Sequence, residues 1–407
     1  MLEGKRVAVG VCGGIAAYKS AELVSQLVKE GCEVRVAMTR NATHFVGPLT
    51  FATISRHKVI TSTFSDPASW EVEHVELARW AQAFVVAPCT ANVLGKIAMG
   101  IADDFLTTCI MASRCPVVLV PAMNAAMWES PAVRRNVEAL KRDGFIVIEP
   151  ETGALACGEY GPGRMPSPST IVARLRTVLT PKDFSGVKIL VTAGPTREHF
   201  DPVRFISNPS SGKMGYAIAE AARDRGATVK LISGPSFLQP PEDVDVIRVV
   251  SAAEMYQRVM EWFEWCDVVV KAAAVSDYRP QTVERQKIKK GETELTVKLI
   301  STTDILAELG KKKGEKVLVG FAAETQDLVQ NAREKIKRKN LDLIVVNDVS
   351  GTRSGVGFGS DTNAVKLIGS NGGIRDVPLG PKYEVAHSIL DLVAELISAR
   401  RERRAQL

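Results

Sequence analysis

The chain has 407 residues, 45% of them hydrophobic and 24% charged, and its formal net charge at pH 7 is +6. This length is too great for one ordinary hydrophobic core, and it predicts two or three domains of a soluble globular protein. The basic residues are concentrated in three short runs, at 311–313, 333–339 and 399–404. Such runs are typical of solvated helix faces, so we expect no nucleic-acid partner.

No stretch is apolar over the length of a membrane span, and the first residues show no signal-peptide pattern. The seven cysteines are scattered and include no C-x-x-C pair. An odd number with that spacing argues against a disulfide framework and against a zinc site. We therefore expect a cytoplasmic protein with reduced thiols and no membrane partner.

The first half of the chain alternates short apolar runs with helical segments. The apolar runs lie at 6–11, 33–38, 83–88, 116–121 and 145–150. Continuous apolar strands of this length are typical of a mostly parallel sheet with helices on both faces. From residue 151 the chain is rich in glycine, proline and serine, and no regular element is predicted before a helix at about 169–179.

The strand–helix pattern restarts after the segment 179–186, which has the composition of a linker. Strand-like runs follow at 187–196, 227–234, 267–275, 316–323 and 341–349. A charged insertion lies at 279–296, and a helix is predicted at 382–404. The sequence therefore predicts two tandem doubly wound, Rossmann-like α/β domains, at residues 1–180 and 181–407.

In doubly wound sheets, ligands bind beyond the carboxyl ends of the strands, near the point where the strand order reverses. The first such end reads G-V-C-G-G at residues 10–14, so the dinucleotide pattern G-x-G-x-x-G is absent. Glycines before a helix suit a phosphate group, because backbone N–H groups and the helix dipole point there. A tight strand–helix turn without a ligand explains this pattern equally well.

Two further segments at strand ends are more specific: 87–92 reads A-P-C-T-A-N, and 121–128 reads P-A-M-N-A-A-M-W. With the glycine turn, His74 and the segment A-C-G-E-Y-G-P-G-R-M at 156–165, they resemble the flavin-containing cysteine decarboxylases, specifically the phosphopantothenoylcysteine decarboxylase branch. The resemblance covers the whole first domain and implies a flavodoxin-like flavoprotein fold. The chain departs from the commonest wording of the family at Cys89, where serine is frequent.

The resemblance implies FMN as the cofactor. The residues at the family's FMN-binding positions are Gly13, Gly14, Thr39, Thr90, Ala91 and Asn92. Decarboxylation of a cysteine amide needs an electron sink, which this cofactor supplies. Removal of a hydride from the carbon next to sulfur gives a thioaldehyde, and loss of CO2 then leaves a stabilised ene-thiolate.

The resemblance assigns three residues to the substrate. His74 would accept the thiol proton, Asn124 would bind the cysteine carboxylate, and Cys157 would protonate the ene-thiolate. The residues alone leave other roles open: a helix-capping histidine, a turn asparagine and a small buried thiol. The polar, glycine-rich setting of Cys157 argues against the last of these.

In the second half, a strand at 187–193 is followed by a long loop that ends S-S-G-K-M-G at 210–215. Long loops are usually functional, and a loop that ends at a helix start suits an anion. The loop and the segments at 271–278, 287–290, 303–306 and 321–325 resemble the phosphopantothenate–cysteine ligase domain over residues 186–365. The resemblance implies that CTP activates phosphopantothenate to an acyl-cytidylate, which the amine of cysteine then attacks.

The ligase resemblance also assigns roles. Lys287 would neutralise charge on the nucleotide phosphates, and Asn208 and Arg204, with the backbone of Ala273 and Ala274, would stabilise the acyl oxyanion. The other nucleotide-binding positions are Asp277, Thr303, Asp304, Ile305, Leu306, Phe321, Lys335 and Lys339. A solvated hairpin for Lys287 and a basic helix stripe for the last two lysines are the alternatives. Mg2+ is expected with the triphosphate, although no set of metal ligands can be identified in the sequence.

Together these patterns predict a bifunctional enzyme that uses phosphopantothenate, cysteine and CTP on the route to coenzyme A. The family's decarboxylase domains form trimers and its ligase domains dimers, so the resemblance implies a homo-oligomer, a dodecamer. A two-domain nicotinamide oxidoreductase and a flavin-binding regulatory subunit are the alternatives. The missing G-x-G-x-x-G argues against the first, and the joint presence of the predicted catalytic residues argues against the second.

Overall fold

The computed structural model describes residues 2–63, 72–289, 295–324, 328–348 and 359–405. The chain divides into two compact units, Met1–Thr180 and Pro181–Leu407, each with its own sheet. Each unit has two clusters of buried apolar side chains. No helix in these residue ranges is long and apolar enough to cross a membrane.

The sheet of the first unit consists of β1 (Arg6–Val11), β2 (Glu33–Met38), β3 (Ala83–Cys89), β4 (Val117–Pro121) and β5 (Ile146–Val147). The strands run in the order β2-β1-β3-β4-β5, and all neighbours are parallel. This is the flavodoxin-like order, which reverses between β1 and β3. The predicted fold of the first domain is confirmed.

Helices cover both faces of this sheet. They are α1 (Ala17–Lys29), α2 (Pro48–Ser55), α3 (Glu73–Trp80), α4 (Ala91–Ala98), α5 (Phe105–Ala112), α6 (Ala125–Glu129), α7 (Pro131–Arg142) and α8 (Pro168–Leu179), with a 3-10 turn at Arg40–His44. Successive strand residues point to opposite faces. Val7 and Val9 therefore belong to the cluster of Leu23 and Ile171, whereas Ala8 belongs to the cluster on the other face.

The glycine-rich segment after residue 150 contains a β-hairpin, so the prediction of no regular element there was wrong. Its strands are β6 (Glu151–Ala154) and β7 (Tyr160–Arg164), and Gly153 pairs with Gly161. At Gly163 φ is +135°, and a Cβ there would lie 2.1 Å from the carbonyl oxygen of Met123. The close contact with the loop after β4 therefore requires glycine at position 163. The glycines of this segment also interrupt the alternation of apolar and polar residues from which strands are predicted.

The main sheet of the second unit has eight strands. They are β8 (Lys188–Ala193), β11 (Thr228–Ser233), β12 (Asp245–Arg248), β13 (Val268–Lys271), β16 (Val317–Glu324), β17 (Leu343–Asp348), β18 (Thr362–Gly369) and β19 (Ile374–Pro381). Their order is β12-β11-β8-β13-β16-β17-β18-β19, with the first six parallel and the last two antiparallel. The six parallel strands have the Rossmann order, which reverses between β8 and β13.

Two short antiparallel pairs and five helices complete the described part of this unit. The pairs are β9 (Arg197–His199) with β10 (Phe205–Ser207), and β14 (Tyr278–Pro280) with β15 (Leu299–Ser301). The helices are α9 (Lys213–Asp224), α10 (Ala252–Phe263), α11 (Ile305–Lys311), α12 (Leu328–Lys339) and α13 (Lys382–Ala405). The long loop after β8 therefore contains a hairpin, and the predicted C-terminal helix is present.

Candidate active sites

A cavity of about 520 Å³ lies at the carboxyl ends of β1, β2 and β3. All six residues predicted to bind FMN line it: Gly13, Gly14, Thr39, Thr90, Ala91 and Asn92. The structure also places Arg40, Asn41 and Lys96 on its wall, which the sequence did not single out. The reversal of the strand order between β1 and β3 thus brings together the six predicted residues, the first and last of which, Gly13 and Asn92, are 79 positions apart.

Threonines at two helix starts shape this cavity. The Thr90 hydroxyl accepts a hydrogen bond from the N–H of Val93 at 3.4 Å and so caps α4. Thr39 caps the following 3-10 turn in the same way, through the N–H of Ala42. Ala91 and Asn92 are the first two residues of α4, so their N–H groups have no hydrogen-bond acceptor within the helix. They are therefore available to an anion in the cavity.

The glycine turn leaves no room for a side chain at Gly13. A Cβ on Gly13 would lie 2.4 Å from the Cβ of Asn41, whereas a Cβ on Gly14 would make an ordinary contact with Thr90. Gly13 is therefore required by the close approach of two loops, and Gly14 is not required by packing. This arrangement gives a ligand close access to the main chain beside the start of α4.

A second cavity of about 640 Å³ adjoins the first and shares Gly14, Ala122 and Met123 with it. Asn124 and Cys157 both line this second cavity. Because β7 is bonded to the loop after β4, the hairpin lies over the start of α6. Two of the three residues that the sequence placed at the substrate are therefore brought together.

Asn124, Cys157 and Glu159 form one polar group. The amide nitrogen Nδ2 of Asn124 lies 3.5 Å from Sγ of Cys157 and donates to Oε2 of Glu159 at 2.9 Å, while Sγ lies 3.6 Å from the same oxygen. Oδ1 of Asn124 accepts from the N–H of Ala126 and caps α6. Asn124 is thus a helix-capping residue whose donor group still points at the thiol.

The cysteines of this unit differ in their surroundings. Burial raises the pKa of the Cys12 thiol to about 12, and burial also raises that of Cys89 well above its usual value. Cys157 is exposed on the hairpin. Of these three thiols, Cys157 is the one that a substrate can reach.

Two cationic residues on the second cavity, Lys19 and Arg164, were not singled out from the sequence, although Arg164 lies in the quoted segment 156–165. Lys19 donates to the carbonyl of Met165 at 3.0 Å, and Arg164 lies nearby. Burial, then the charge of Arg164, lowers the pKa of Lys19. An anionic substrate group would reduce this repulsion.

His74 lies in the first turn of α3, is partly exposed and lines neither cavity. The neighbouring Glu73 faces Lys58, and Glu76 faces Arg35 at 2.8 Å. Within one chain, the structure therefore does not bring the predicted base to Cys157.

In the second unit, Asn208 lies at the point where the strand order reverses. Its Nδ2 donates to the carbonyls of Ala274 at 3.1 Å and Val275 at 3.3 Å. Thr192 and Thr196 hold the same loop by accepting the N–H groups of Ala273 and Ser276. Asn208 therefore contacts the backbone of Ala274, which the resemblance assigns to the same reaction step.

Four ionisable residues form a cluster at the carboxyl ends of β13 and the adjacent strands. Lys339 pairs with Asp304 at 2.8 Å, and Asp304 also caps α11 by accepting the N–H of Ala307. Lys271, at the end of β13, interacts electrostatically with both and with Asp277. Burial, then the charge of Lys339, lowers the pKa of Lys271 to about 8. The sequence had not assigned Lys271 a role.

The remaining predicted nucleotide-binding residues surround this cluster. Ile305 and Leu306 are 1% and 5% exposed, so their side chains belong to the core and only their backbone is open to a ligand. Phe321 is partly buried on β16, Thr303 is exposed before α11, and Lys335 lies one turn before Lys339 on α12. In the described ranges, no group of three or more His, Cys, Asp or Glu side chains could hold a metal ion.

Lys287 and Arg204 lie apart from this cluster, near the turn between β9 and β10. Lys287 is exposed and makes no hydrogen bond or ion pair within the described residues. Arg204 is bound through Nε and Nη2 to the Asp201 carboxylate, at 2.9 and 2.6 Å. Nη2 also donates to the carbonyl of Ile288 at 3.1 Å, next to Lys287.

Comparison with known proteins divides the chain at the same place. The Flavoprotein family model matches residues 1–180, and the model of the DNA/pantothenate metabolism flavoprotein C-terminal domain matches residues 184–397. These matches agree with the flavoprotein fold predicted for the first unit.

Similarity to curated proteins extends over the whole chain. The coenzyme A biosynthesis bifunctional protein CoaBC of Bacillus subtilis (strain 168) is 48% identical, over 99% of this chain and 100% of that protein. The protein of the same name from Vibrio cholerae serotype O1 is 44% identical, over 97% and 99%. A crystal structure of the C-terminal domain of such a protein is 41% identical, covers 54% of this chain and 99% of its own, and has a TM-score of 0.47. The chain therefore belongs to the family of coenzyme A biosynthesis bifunctional proteins, which combine phosphopantothenoylcysteine decarboxylase and phosphopantothenate–cysteine ligase activities.

Proposed function

We propose that residues 1–180 form an FMN-dependent phosphopantothenoylcysteine decarboxylase and that residues 181–407 form a CTP-dependent phosphopantothenate–cysteine ligase, which acts first. The main support for the first assignment is the contact of Asn124 with Cys157 in a cavity that adjoins the glycine turn. The contact of Asn208 with Ala274 where the strand order reverses supports the second.

The first cavity fits FMN. Its volume of about 520 Å³ is in the range of small-molecule sites, and Gly13 leaves the main chain open to close approach. The N–H groups of Ala91 and Asn92 suit the phosphate, and Thr39 and Thr90 fix the two loops that frame it. When bound, FMN supplies the electron sink, because it can accept a hydride from the carbon next to sulfur and later return it.

In the second cavity, Asn124, Lys19 and Arg164 would bind the substrate carboxylate. The Asn124 amide now donates to Glu159, and the substrate carboxylate would take that oxygen's place. Once CO2 has left, Cys157 would give its proton to the carbon that held the carboxylate. Asn124 would have bound that carboxylate, and its Nδ2 lies 3.5 Å from Sγ of Cys157, so the thiol is close to this carbon. Glu159, hydrogen-bonded to both residues, would keep the hairpin closed over the cavity until substrate enters.

We propose that a second copy of the chain completes this site. Ile15 and Tyr18, on the rim of the second cavity, are 60% and 61% exposed, and His74 lies outside the cavity of its own chain. In a homo-oligomer, His74 of one subunit would accept the thiol proton at the cavity of the next. Trimeric decarboxylase units and dimeric ligase units would together give the dodecamer.

Mixed oligomers test this arrangement. Alone, neither His74→Asn nor Cys157→Ser subunits are expected to turn over to phosphopantetheine. Coexpressed, they would regain part of that turnover, because one intact site forms between an intact histidine and an intact cysteine of different subunits. Continued inactivity of the mixture would mean that both groups act within one chain.

For the ligase, the triphosphate of CTP would lie against the cluster of Lys271, Lys339 and Asp304. Lys335, on the same face of α12 as Lys339, and Lys287, on the loop after β14, would also contact the phosphates. These cations would stabilise the charge that develops as the phosphopantothenate carboxylate attacks the α-phosphorus and pyrophosphate leaves. Asp277, Thr303, the backbone of Ile305 and Leu306, and Phe321 would surround the rest of the nucleotide. Mg2+ would enter as the nucleotide complex.

In the second step, the cysteine amine attacks the acyl carbonyl and CMP leaves. Asn208 would donate to the developing oxyanion, with the backbone of Ala273 and Ala274 and the guanidinium of Arg204 beside it. A cytoplasmic location is in keeping with the seven cysteines, none of which forms a disulfide.

The direct test is incubation of the chain with phosphopantothenate, cysteine, CTP and Mg2+, followed by mass analysis. We expect pyrophosphate, CMP, CO2 and phosphopantetheine, and an absorption spectrum with flavin bands. A colourless protein that binds NAD would instead support the nicotinamide oxidoreductase. The family membership and the missing G-x-G-x-x-G do not favour that alternative.

A further inference from the structure

Asp201 lies in the turn between β9 and β10, and it is completely buried. Its Oδ1 accepts the N–H groups of Val203 and Arg204, at 2.8 and 2.7 Å. Its Oδ2 accepts Nε and Nη2 of Arg204 and, at 3.2 Å, the N–H of Ile288, which lies 87 positions further along the chain. One carboxylate thus joins the turn, the guanidinium and a distant segment.

The distant segment is residues 281–289, which we call the flap segment. Two more hydrogen bonds fasten it to the same turn. The Arg204 guanidinium donates to the Ile288 carbonyl at 3.1 Å, and the N–H of Glu284 donates to the Phe200 carbonyl at 3.0 Å. Lys287 lies between these attachment points, so its place is set by the turn, although its own side chain is exposed.

The charge on Asp201 is stabilised despite its burial. Burial raises the pKa of this carboxyl, but the hydrogen bonds from Arg204, Val203 and Ile288 outweigh burial and hold the pKa well below its usual range. A buried carboxylate with five donors is a fixed anchor, unlike an exposed ion pair.

We propose that Asp201 is a positioning residue for the ligase reaction, which places Lys287 for the nucleotide phosphates and orients Arg204 for acyl transfer. This inference rests on the proposed function, in which Lys287 acts in the first step and Arg204 in the second. It adds that the two steps share one anchor.

The test compares Asp201→Asn, Lys287→Gln and the double variant by pyrophosphate release from CTP and phosphopantothenate, without cysteine. An asparagine has one accepting oxygen in place of two and carries no charge, so it cannot satisfy both the N–H groups of the turn and the donors of Arg204 and Ile288, and the attachment of the flap segment is weakened. We expect release to fall about 10-fold to 100-fold in Asp201→Asn and about 100-fold in Lys287→Gln. The double variant should be no slower than Lys287→Gln, because Asp201 acts through that lysine.

Controls separate positioning from folding. Decarboxylation of supplied phosphopantothenoylcysteine by the same chain measures the amount of intact enzyme. Asp376→Asn, which removes an exposed ion pair with Lys366, should release pyrophosphate at the normal rate. Ile288→Pro removes the N–H that Asp201 accepts and leaves the carboxylate and Arg204 in place. It should reproduce the loss if Asp201→Asn does not fold.

The outcomes are distinct. Normal release by a folded Asp201→Asn, or by Ile288→Pro, together with slow release by Lys287→Gln overturns the positioning role alone. A double variant whose loss is the product of the single losses also overturns it, because the two residues then act independently. Normal release by Lys287→Gln removes the proposed role of that lysine, and the inference built on it falls for that reason.

Discussion

In both units, the candidate site lies at the carboxyl ends of parallel strands, where the strand order reverses. In the first unit the reacting groups stand apart, since Cys157 is on an exposed hairpin and His74 lies outside both cavities. In the second unit the polar groups are already bound to partners in the same chain: Asn208 to Ala274, Arg204 to Asp201. Within one chain, therefore, the residues of the proposed decarboxylase site are not all brought to one cavity, whereas those of the proposed ligase site already have hydrogen-bond partners.

The largest effect is expected at the exposed thiol. Cys157→Ser keeps the size of the side chain but replaces the acid by a much weaker one, so turnover to phosphopantetheine should fall about 1000-fold. Oxidation and CO2 loss precede this step, so CO2 should be released once per site. Mass analysis should then find a decarboxylated product two hydrogens short of phosphopantetheine.

Cys115→Ser is the matched control, because that thiol is half-buried beside Ser113, and it should keep normal turnover. Full turnover by Cys157→Ser would exclude the proton-donor role. If the variant releases no CO2, Cys157 acts at an earlier step.

In the second unit, Asn208→Asp should block the second ligase step. The new carboxylate would face the carbonyls of Ala274 and Val275, and it cannot donate to the oxyanion. We expect pyrophosphate release to continue while ligation falls about 100-fold, with the acyl-cytidylate trapped and identified by mass.

Asn371→Asp is the control for this change, because Asn371 lies in an exposed turn, where its Oδ1 accepts the N–H of Gly373. It should ligate normally. Loss of both steps in Asn208→Asp, with normal thermal unfolding, would contradict a role confined to acyl transfer.

Much of the fold could be predicted because most parallel strands are buried on both faces. The runs at 6–11 and 83–88 are continuous apolar segments, which no other element of that length explains. The hairpin of β6 and β7 could not be predicted, because its glycines and Pro162 leave no apolar alternation, and Gly163 is required by its close contact with Met123. The edge strand β19 was missed for a related reason: most of its residues are exposed, so no apolar run marks it.

The candidate sites, like the fold, could be predicted from the sequence only in part. Asn124, Cys157 and Asn208 were singled out through motifs. In the structure Asn124 and Cys157 line one cavity, and Asn208 contacts the backbone of Ala274. Glu159, Lys271 and Asp201 lie in the same quoted segments but were not singled out, because the role of each depends on partners that are distant in the sequence. Their partners lie up to 87 positions away and are set by the strand order.

A smaller effect is expected at Lys271, whose pKa of about 8 makes the ligase cluster sensitive to pH. Above pH 8 this lysine loses its charge, so the KM for CTP should rise. Lys271→Met should raise that KM about 10-fold at pH 7 and abolish the rise above pH 8, whereas Lys271→Arg should stay charged and keep a low KM to higher pH. Lys366→Met, which removes an exposed ion pair with Asp376, is the control and should leave the KM and its pH profile unchanged. A wild-type profile in Lys271→Met would place this lysine outside the nucleotide site.

The smallest effect concerns the stability of the second unit and not its chemistry. His387 on α13 is buried, its ring packs edge-on against Tyr383 at 4.7 Å, and its Nε2 has no hydrogen-bond partner in the described residues. Burial, then the charge of Arg225, lowers the pKa of His387 to about 4 from its ordinary value of 6.5.

Because the unfolded chain binds this proton more tightly than the folded chain, the free energy of unfolding should be unaffected above pH 6.5. It should fall by roughly 2–4 kcal/mol as the pH drops toward 4. His387→Leu removes the titrating group, so calorimetry between pH 7 and 4 should show a shallower fall for the unfolding transition of the second unit. His57→Gln, at a partly exposed histidine beside Glu33, should leave that slope unchanged. An equal slope in His387→Leu and the wild type would show that other groups, such as the carboxylates around Arg225, cause the acid sensitivity.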